Sequence, residues 1–459
     1  MTETLLQPEI HADATSVFQR QLDVPYPNIE RGEGVWLYRT DGRRILDACG
    51  GGAMVATLGH GRRDIVEAAA AQAERIAYMY YHHFTNERQE ELARRVLEVA
   101  APEMGRARFV TGGSEANEMA LRLARQYHVD RGDGGRWQIV SPAQAYHGAT
   151  FGALALTGRR SLQHPYEPYL AEQLHIPPST ARFDESGEAA LAELDRAIEE
   201  AGEDTIAAFF CEPVSAAALP AYSPPERFWE GLAERRERYG FLVCFDEVVT
   251  GYGRTGSWFA AHQLPIEPDI VTFGKGLGAG YAPLAGMLCT ERVYEVIDAG
   301  SRNFEHGHTW DGAPQFAAVG LAVLDALVEE RLIERVAERG PRLRDELASA
   351  LAELACVREV RGRGFLLGVE LVDPRDGESL LPDEVNAAAL VDTVALEHDL
   401  LVTSSHATPD GYVGDQTLLA PAYTSTDDEL AVLVERFAET MADVEGRLHR
   451  AVAAARASA

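Results

Sequence analysis

Positive charge is in short supply in this sequence. Its 42 Lys and Arg stand against 72 Asp and Glu, a formal net charge of −30. That balance argues against nucleic acid and against an anionic membrane surface as partners. Cysteine is scarce too: Cys49, Cys211, Cys244, Cys289 and Cys356 are odd in number, scattered, and never form C-x-x-C. A disulfide framework and a zinc site are therefore disfavoured. Cys211 and Cys244 lie in apolar runs and read as reduced core residues. No stretch approaches the ~20 apolar residues of a membrane span. Residues 1–14 carry acids and lack the basic-then-apolar order of a secretory leader, so the expected compartment is the cytoplasm. Internal repeats, low-complexity tracts and Gly/Ser linkers are missing as well.

What is there is a chain of 459 residues, long enough for more than one structural domain. Residues 1–60 look irregular, with one hairpin at 34–47 around Asp41-Gly42. Residues 61–330 alternate helical patterns (114–127, 189–200, 226–239) with short apolar runs at 108–110, 138–140, 206–210, 242–245 and 270–273. Alternation of this kind predicts an α/β domain with a mostly parallel sheet covered on both faces. Residues 331–459 continue in helical stretches past Gly340-Pro341. They then mix strands (364–371, 400–403, 417–419) with a long final helix from Thr426, a smaller α+β domain expected to pack with the N-terminal segment.

Two of the apolar runs end in chemistry. The run 241–245 is followed by Asp246-Glu247-Val248-Val249-Thr250-Gly251, and 270–273 by Gly274-Lys275-Gly276, 275 − 246 = 29 residues further on. In a parallel sheet, residues just past the carboxyl ends of neighbouring strands meet in one crevice. An amine and a carboxylate delivered there suit pyridoxal 5′-phosphate (PLP), which needs an amine to bind its aldehyde and an acid to keep its ring nitrogen protonated. The glycines flanking Lys275 let the backbone approach a cofactor closely.

Other segments fit the same crevice. Thr111-Gly112-Gly113-Ser114-Glu115-Ala116-Asn117-Glu118 follows a short strand and opens a helix, with Ser114 a suitable N-cap. Free amides at a helix start make an anion site, which the phosphate of the cofactor requires in so acidic a chain. Tyr146-His147-Gly148 is a loop with an aromatic ring able to stack. Glu212 ends another apolar run. His306-Gly307-His308-Thr309 places two histidines one residue apart, but without a third ligand the expectation is no metal.

Together these motifs resemble the class III aminotransferases, the ornithine and ω-amino acid type among the fold-type I PLP enzymes, over nearly the whole chain. The resemblance implies a large PLP-binding domain with a seven-stranded-type sheet and a smaller α+β domain. It makes Lys275 the Schiff-base lysine and proton carrier, and Asp246 the partner of the ring nitrogen. Gly113 and Ser114 are assigned to the phosphate, Tyr146 to one ring face and Val248 to the other. Glu212 falls near the phenolic oxygen and the substrate. Thr309 would serve the phosphate of the neighbouring subunit, hence a homodimer with shared sites, or a tetramer built on it. The family usually reads Ser-Gly-Ser at the phosphate turn, where this chain has Gly112-Gly113-Ser114.

Two departures bear on substrate. Many amine-using members carry a tryptophan five residues before the Gly59-His60 pair, where this chain has Met54. A flexible thioether in place of an indole softens the pocket, for which Met54, Tyr80 and Phe84 are the candidate lining. Many members also carry an arginine shortly before Pro-Pro-Leu, and the corresponding stretch 410–422 has none. Arginine is the residue suited to bidentate carboxylate binding. The expectation is therefore an amine or ω-amino donor with a 2-oxo acid such as pyruvate as acceptor. The alternatives are an aminomutase, racemase or decarboxylase on the same site, and a non-catalytic regulator, for which an N-terminal DNA-binding module is missing.

Overall fold

In the computed structural model, which describes residues 8–180, 184–406 and 414–458, the apolar runs of the middle of the chain pair into one seven-stranded sheet. In chain order its strands are β1 (Met104–Val110), β2 (Gln138–Pro142), β3 (Leu174–Ile176), β4 (Ile206–Cys211), β5 (Leu242–Glu247), β6 (Ile270–Phe273) and β7 (Ala285–Thr290). Across the sheet they lie β1-β7-β6-β5-β4-β2-β3. Only β7 runs against its neighbours β6 and β1; the other pairings are parallel. Every residue of β4 to β7 is buried, as an apolar run must be when layers cover both faces of a sheet. The helix α1 (Gly113–Asp130) packs on β6 and β7 from one side.

β3 and β7 are the strands that the residue pattern does not announce. Gly286 sits in β7, and glycine weakens a strand. Here the position demands it: a Cβ would come within 2.2 Å of the Arg108 carbonyl and 2.6 Å of the Phe273 ring. The antiparallel strand closes over its neighbours only because one residue lacks a side chain.

The hairpin at the N-terminal end forms from Trp36–Arg39 and Arg44–Asp47, turning through Gly42 at φ 86°. Together with Ile29–Glu33 and the distant strand Leu400–Leu401 it makes a four-stranded sheet. A second four-stranded sheet joins Val357–Arg363, Leu366–Leu371, Gln416–Leu419 and Thr403–Ser405. The single strand expected at 400–403 is thus two short ones serving different sheets. Helix runs past Gly340-Pro341, and the break between the two helical stretches lies earlier in the chain. One helix ends at Glu329, the chain turns through Arg331 at φ 52°, and the next helix, Leu332–Leu351, runs on through Pro341. Gly340 is there for packing, since a Cβ would meet the Gly364 carbonyl at 2.4 Å.

One buried apolar cluster runs from Val35 and Leu46 through Phe209, Phe245 and Phe273 to Phe437 and Val444. It ties the hairpin, the large sheet and the final helix (Asp427–Ser458) together. Among the described residues no helix is long and apolar enough to cross a membrane. Residues 1–7, and 410–413 of the arginine-free stretch, lie outside the described residues.

Candidate active site

The carboxyl ends of β1, β2, β4, β5 and β6 face one edge of the sheet, and the sequence motifs are the segments that leave them. Register fixes the neighbours: Asp246 lies beside Thr272, Phe245 beside Cys211, and Phe273 beside Gly286. Asp246 is buried at 6% exposure. Its Oδ2 accepts hydrogen bonds from Asn117 Nδ2 at 2.8 Å and His147 Nδ1 at 2.8 Å, and its Oδ1 from the Val248 amide at 3.0 Å. Asn117 is itself held, since its Oδ1 accepts from Thr272 Oγ1 at 2.6 Å and its Nδ2 also reaches the His147 carbonyl at 2.6 Å. Four segments therefore clamp one carboxylate in a single orientation. A buried anion so constrained is matched to a cationic N–H placed on its open side.

Lys275 follows β6 directly. Gly274 is extended, and Lys275 takes φ 33°, the left-handed region that non-glycine residues enter only when the surrounding structure imposes it. Burial pushes the ammonium pKa down, while Asp246 and then Glu212 pull it back up. A lysine biased toward its neutral form is a better nucleophile and proton carrier. Lys275 is the only lysine in the chain, and the other 41 of the 42 Lys and Arg residues are arginines.

The turn at 111–114 converges on the same place. α1 starts at Gly113 with Gly112 as N-cap, and no side chain caps its first amides. The expectation that Ser114 is the N-cap is corrected here. Ser114 lies inside the first turn, and its Oγ accepts from the Ala149 amide at 3.0 Å. Two glycines make this convergence possible. A Cβ on Gly113 would stand 2.7 Å from Val248 Cγ1, and one on Gly148 (φ 140°) would stand 2.4 Å from Ser114 Oγ. Val248 thus fills the space between the helix start and Gly274, whose own Cβ position is 3.4 Å from Val248 Cγ1.

Glu212, leaving β4, accepts from the Tyr146 amide at 3.2 Å and from the Ala216 amide at 3.0 Å. Burial raises its pKa; His147 opposes that rise and Asp246 adds to it. Met54 ends the turn 50–54 at φ 60°. It is buried at 3% exposure in a small cluster with Cys49, Val214, Ala216 and Leu418.

A single chain does not bring the remaining candidates to this cluster. Tyr80 and Phe84 are 44% and 64% exposed, and Thr309 is exposed as well. They belong to an outward face with Tyr78 and Trp310, whose rings meet edge to face at 5.6 Å. Asn117 and His147, which hold Asp246, carry no assigned role in the sequence motifs. The available signal was positional: Asn117 is one helical turn beyond Gly113, on the face turned toward the sheet.

The residues fit PLP on three counts. They offer an uncapped helix start for a phosphate, an accessible amine of lowered pKa, and a clamped buried carboxylate for a protonated ring nitrogen.

Comparison with known proteins agrees with this geometry. A model of the aminotransferase class-III family matches residues 17–441. An uncharacterised aminotransferase of Bacillus subtilis is 34% identical over 436 residues, covering 94% of this chain and 98% of the relative. Putrescine–pyruvate aminotransferase of Pseudomonas aeruginosa is 31% identical over 420 residues, 89% of each chain. Among solved structures, the ω-transaminase of Pseudomonas jessenii in complex with PMP superposes with a TM-score of 0.87 at 28% identity, over 95% of this chain and 97% of that one. A thermostable ω-transaminase variant engineered for asymmetric synthesis of enantiopure bulky amines gives 0.84 at 30% identity, over 92% and 94%. Its three replacements include tryptophan to methionine and arginine to leucine.

Proposed function

The chain belongs to the class-III aminotransferase family, and on that premise we propose that it moves an amino group from an amine or ω-amino donor to a 2-oxo acid such as pyruvate, in two half-reactions of a ping-pong cycle. The observation that carries this reading is the Asp246 clamp beside the chain's only lysine. When bound, PLP supplies an electron sink and carries the amino group between the two substrates. Lys275 Nζ holds the cofactor between turnovers and moves the proton to and from the substrate carbon that bears nitrogen. Asp246, oriented by Asn117 and His147, keeps the proton on the ring nitrogen. The amides of Gly113 and Ser114 hold the phosphate, Tyr146 and Val248 confine the ring from its two faces, and Glu212 stands by the phenolic oxygen.

Thr309 serves the partner's phosphate in this reading, which makes the protein at least a homodimer. Tyr80 and Phe84, exposed in one chain, then reach the substrate pocket of the partner, and Met54 contributes from its own. The chain divides accordingly into an N-terminal segment (1–60), a large domain (61–330) and a C-terminal small domain (331–459), working in the cytoplasm. Pyruvate as acceptor and an amine as donor are supported by the name of the Pseudomonas aeruginosa relative. A roomy amine pocket is supported by the engineered neighbour. Its tryptophan-to-methionine and arginine-to-leucine changes are of the same kinds as the two departures noted at Met54 and in 410–422.

The test is a panel of amines with pyruvate, each half-reaction followed by the change in cofactor absorbance. Amine-dependent bleaching that pyruvate reverses is expected. Racemised or decarboxylated product without amino transfer would replace this reading with the alternative one.

A further inference from the structure

The helix start offered to the cofactor phosphate already has an anion beside it. α1 begins at Gly113 after the N-cap Gly112, so Glu115 is its third residue. From that position a glutamate ordinarily reaches back to the free amide of the N-cap residue. Glu115 is folded in that direction: a Cβ on Gly112 would stand 3.4 Å from its Oε2. Yet among the described residues no main-chain amide donates to it, and side chains engage both its oxygens instead. Thr111 Oγ1 donates to Oε2 at 2.6 Å. His308 Nε2 lies 3.3 Å from Oε1 and 3.4 Å from Thr111 Oγ1.

The elements that form the helix start also brace the loop that brings His308. Arg108, on β1, donates from Nε to Asp311 Oδ2 at 2.8 Å and from Nη2 to the His306 carbonyl at 2.8 Å. Asp311 is buried. Arg122, on α1, donates to the Glu305 carbonyl at 3.2 Å. The segment 305–311 is thus fastened to the strand that precedes Thr111 and to the helix that follows it. Within the segment, the Trp310 amide donates to His308 Nδ1 at 3.2 Å. An acceptor at Nδ1 requires the neutral ring with its proton on Nε2, the nitrogen turned toward Thr111 and Glu115. The tautomer that can donate to this pair is therefore the one the loop selects.

We propose that the Glu115 carboxylate and the cofactor phosphate compete for the amides at the start of α1, and that His308, with Thr111, holds Glu115 aside. The inference rests on the assignment of the phosphate to Gly113 and Ser114. Both groups are anions drawn to the same uncapped N–H groups and the same end of the helix dipole. Rotation of one side chain carries Glu115 to those amides. Glu115 and His308 are both partly exposed, so their contact acts by direction more than by strength. Held, the carboxylate leaves the amides to the phosphate; released, it caps the helix itself. His308 is then a positioning residue that works through Glu115, and any shift of segment 305–311 is felt at the phosphate place.

The experiment measures binding to the full chain freed of cofactor, with three probes: PLP, inorganic phosphate, and pyridoxal, which has the aldehyde but no phosphate. His308→Leu should raise the dissociation constants of PLP and inorganic phosphate about 2- to 30-fold, the range that a helix-capping side chain is worth. Pyridoxal should be nearly unaffected. His308→Gln, whose amide can still donate to Thr111 and Glu115, should keep most of the wild-type affinity. Glu115→Ala removes the competitor and should tighten PLP and phosphate about 2- to 5-fold, the scale of an exposed charge contact. In the double variant His308→Leu with Glu115→Ala, the loss should disappear. A loss that persists in the double variant, or one that is equal for pyridoxal, would overturn the proposal and leave the phosphate assignment standing. Phosphate affinity that none of the variants moves would defeat that assignment, and the proposal with it.

Discussion

Asp246→Asn separates charge from shape at the centre of the site. Every group that contacts this carboxylate within the chain is a donor or can be one: Asn117 Nδ2 and His147 Nδ1 at Oδ2, the Val248 amide at Oδ1. An asparagine must turn its NH2 toward one side or the other, and on either side it meets a donor. His147 can relieve part of this by moving its proton to Nε2, which has no partner, but Asn117 cannot, because Thr272 fixes its amide. One donor–donor contact at a buried site costs about 1–3 kcal/mol, and the lost charge-assisted bond to the ring nitrogen about 1.5–3 kcal/mol more. The first cost falls on folding and should appear as lower thermal stability of the apoenzyme. The second falls on cofactor binding, an increase of roughly 10- to 100-fold in its dissociation constant. The donor half-reaction should slow further, since each pKa unit removed from the ring nitrogen is worth about 1.4 kcal/mol. Calorimetry of the apoenzyme, cofactor titration and single-turnover absorbance report the three effects separately. A variant with wild-type half-reaction rate would refute the reasoning, whatever its stability.

Because Lys275 is the only lysine, an amine-directed reagent should label the unfolded chain at two places, Lys275 and the α-amino terminus. Bound cofactor should protect the first, as read by peptide mass mapping; full labelling of Lys275 in the holoenzyme would remove it from the site. Lys275→Ala should bind cofactor only noncovalently and lose turnover by orders of magnitude. Glu247 gives a pH prediction of definite sign. Burial raises its pKa to about 7 although Ala260, Ala261 and Thr250 all donate to it. A carboxyl raised above its unfolded value stabilises the fold fully below that value, and the contribution is lost as pH rises toward about 7. Urea unfolding between pH 4.5 and 7 should show this fall, and Glu247→Gln should flatten it; an unchanged slope in the variant would assign the fall elsewhere. Thr309→Ala should weaken cofactor binding while leaving Lys275 reactive, and removing cofactor should loosen the dimer by linkage. Sedimentation at nanomolar concentration checks this, and a fully active monomer would defeat it.

The parts of this site that were legible before any coordinates are those where one short segment carries its own reason. A buried apolar run ending in Asp246, and another ending in Gly274-Lys275-Gly276, name their strand ends and their chemistry at once. Other features needed partners far away in the chain. Asn117 and His147 meet Asp246 across 129 and 99 residues, and no periodicity encodes such a pairing. Ser114 looked like a cap by residue type, but Gly148 brings the next loop so close that the hydroxyl accepts from Ala149 instead. β7 was hidden by Gly286, the residue that lets the strand pack. Tyr80, Phe84 and Thr309 were read as site residues, yet in one chain they face outward. That exposure has a consequence for mechanism. If these residues line the partner's pocket, substrate shape is set across a subunit boundary, while Lys275, Asp246 and the groups that hold Asp246 come from one chain. Loss of the dimer would then remove the partner's phosphate contact and donor discrimination together, while leaving the Asp246 clamp intact.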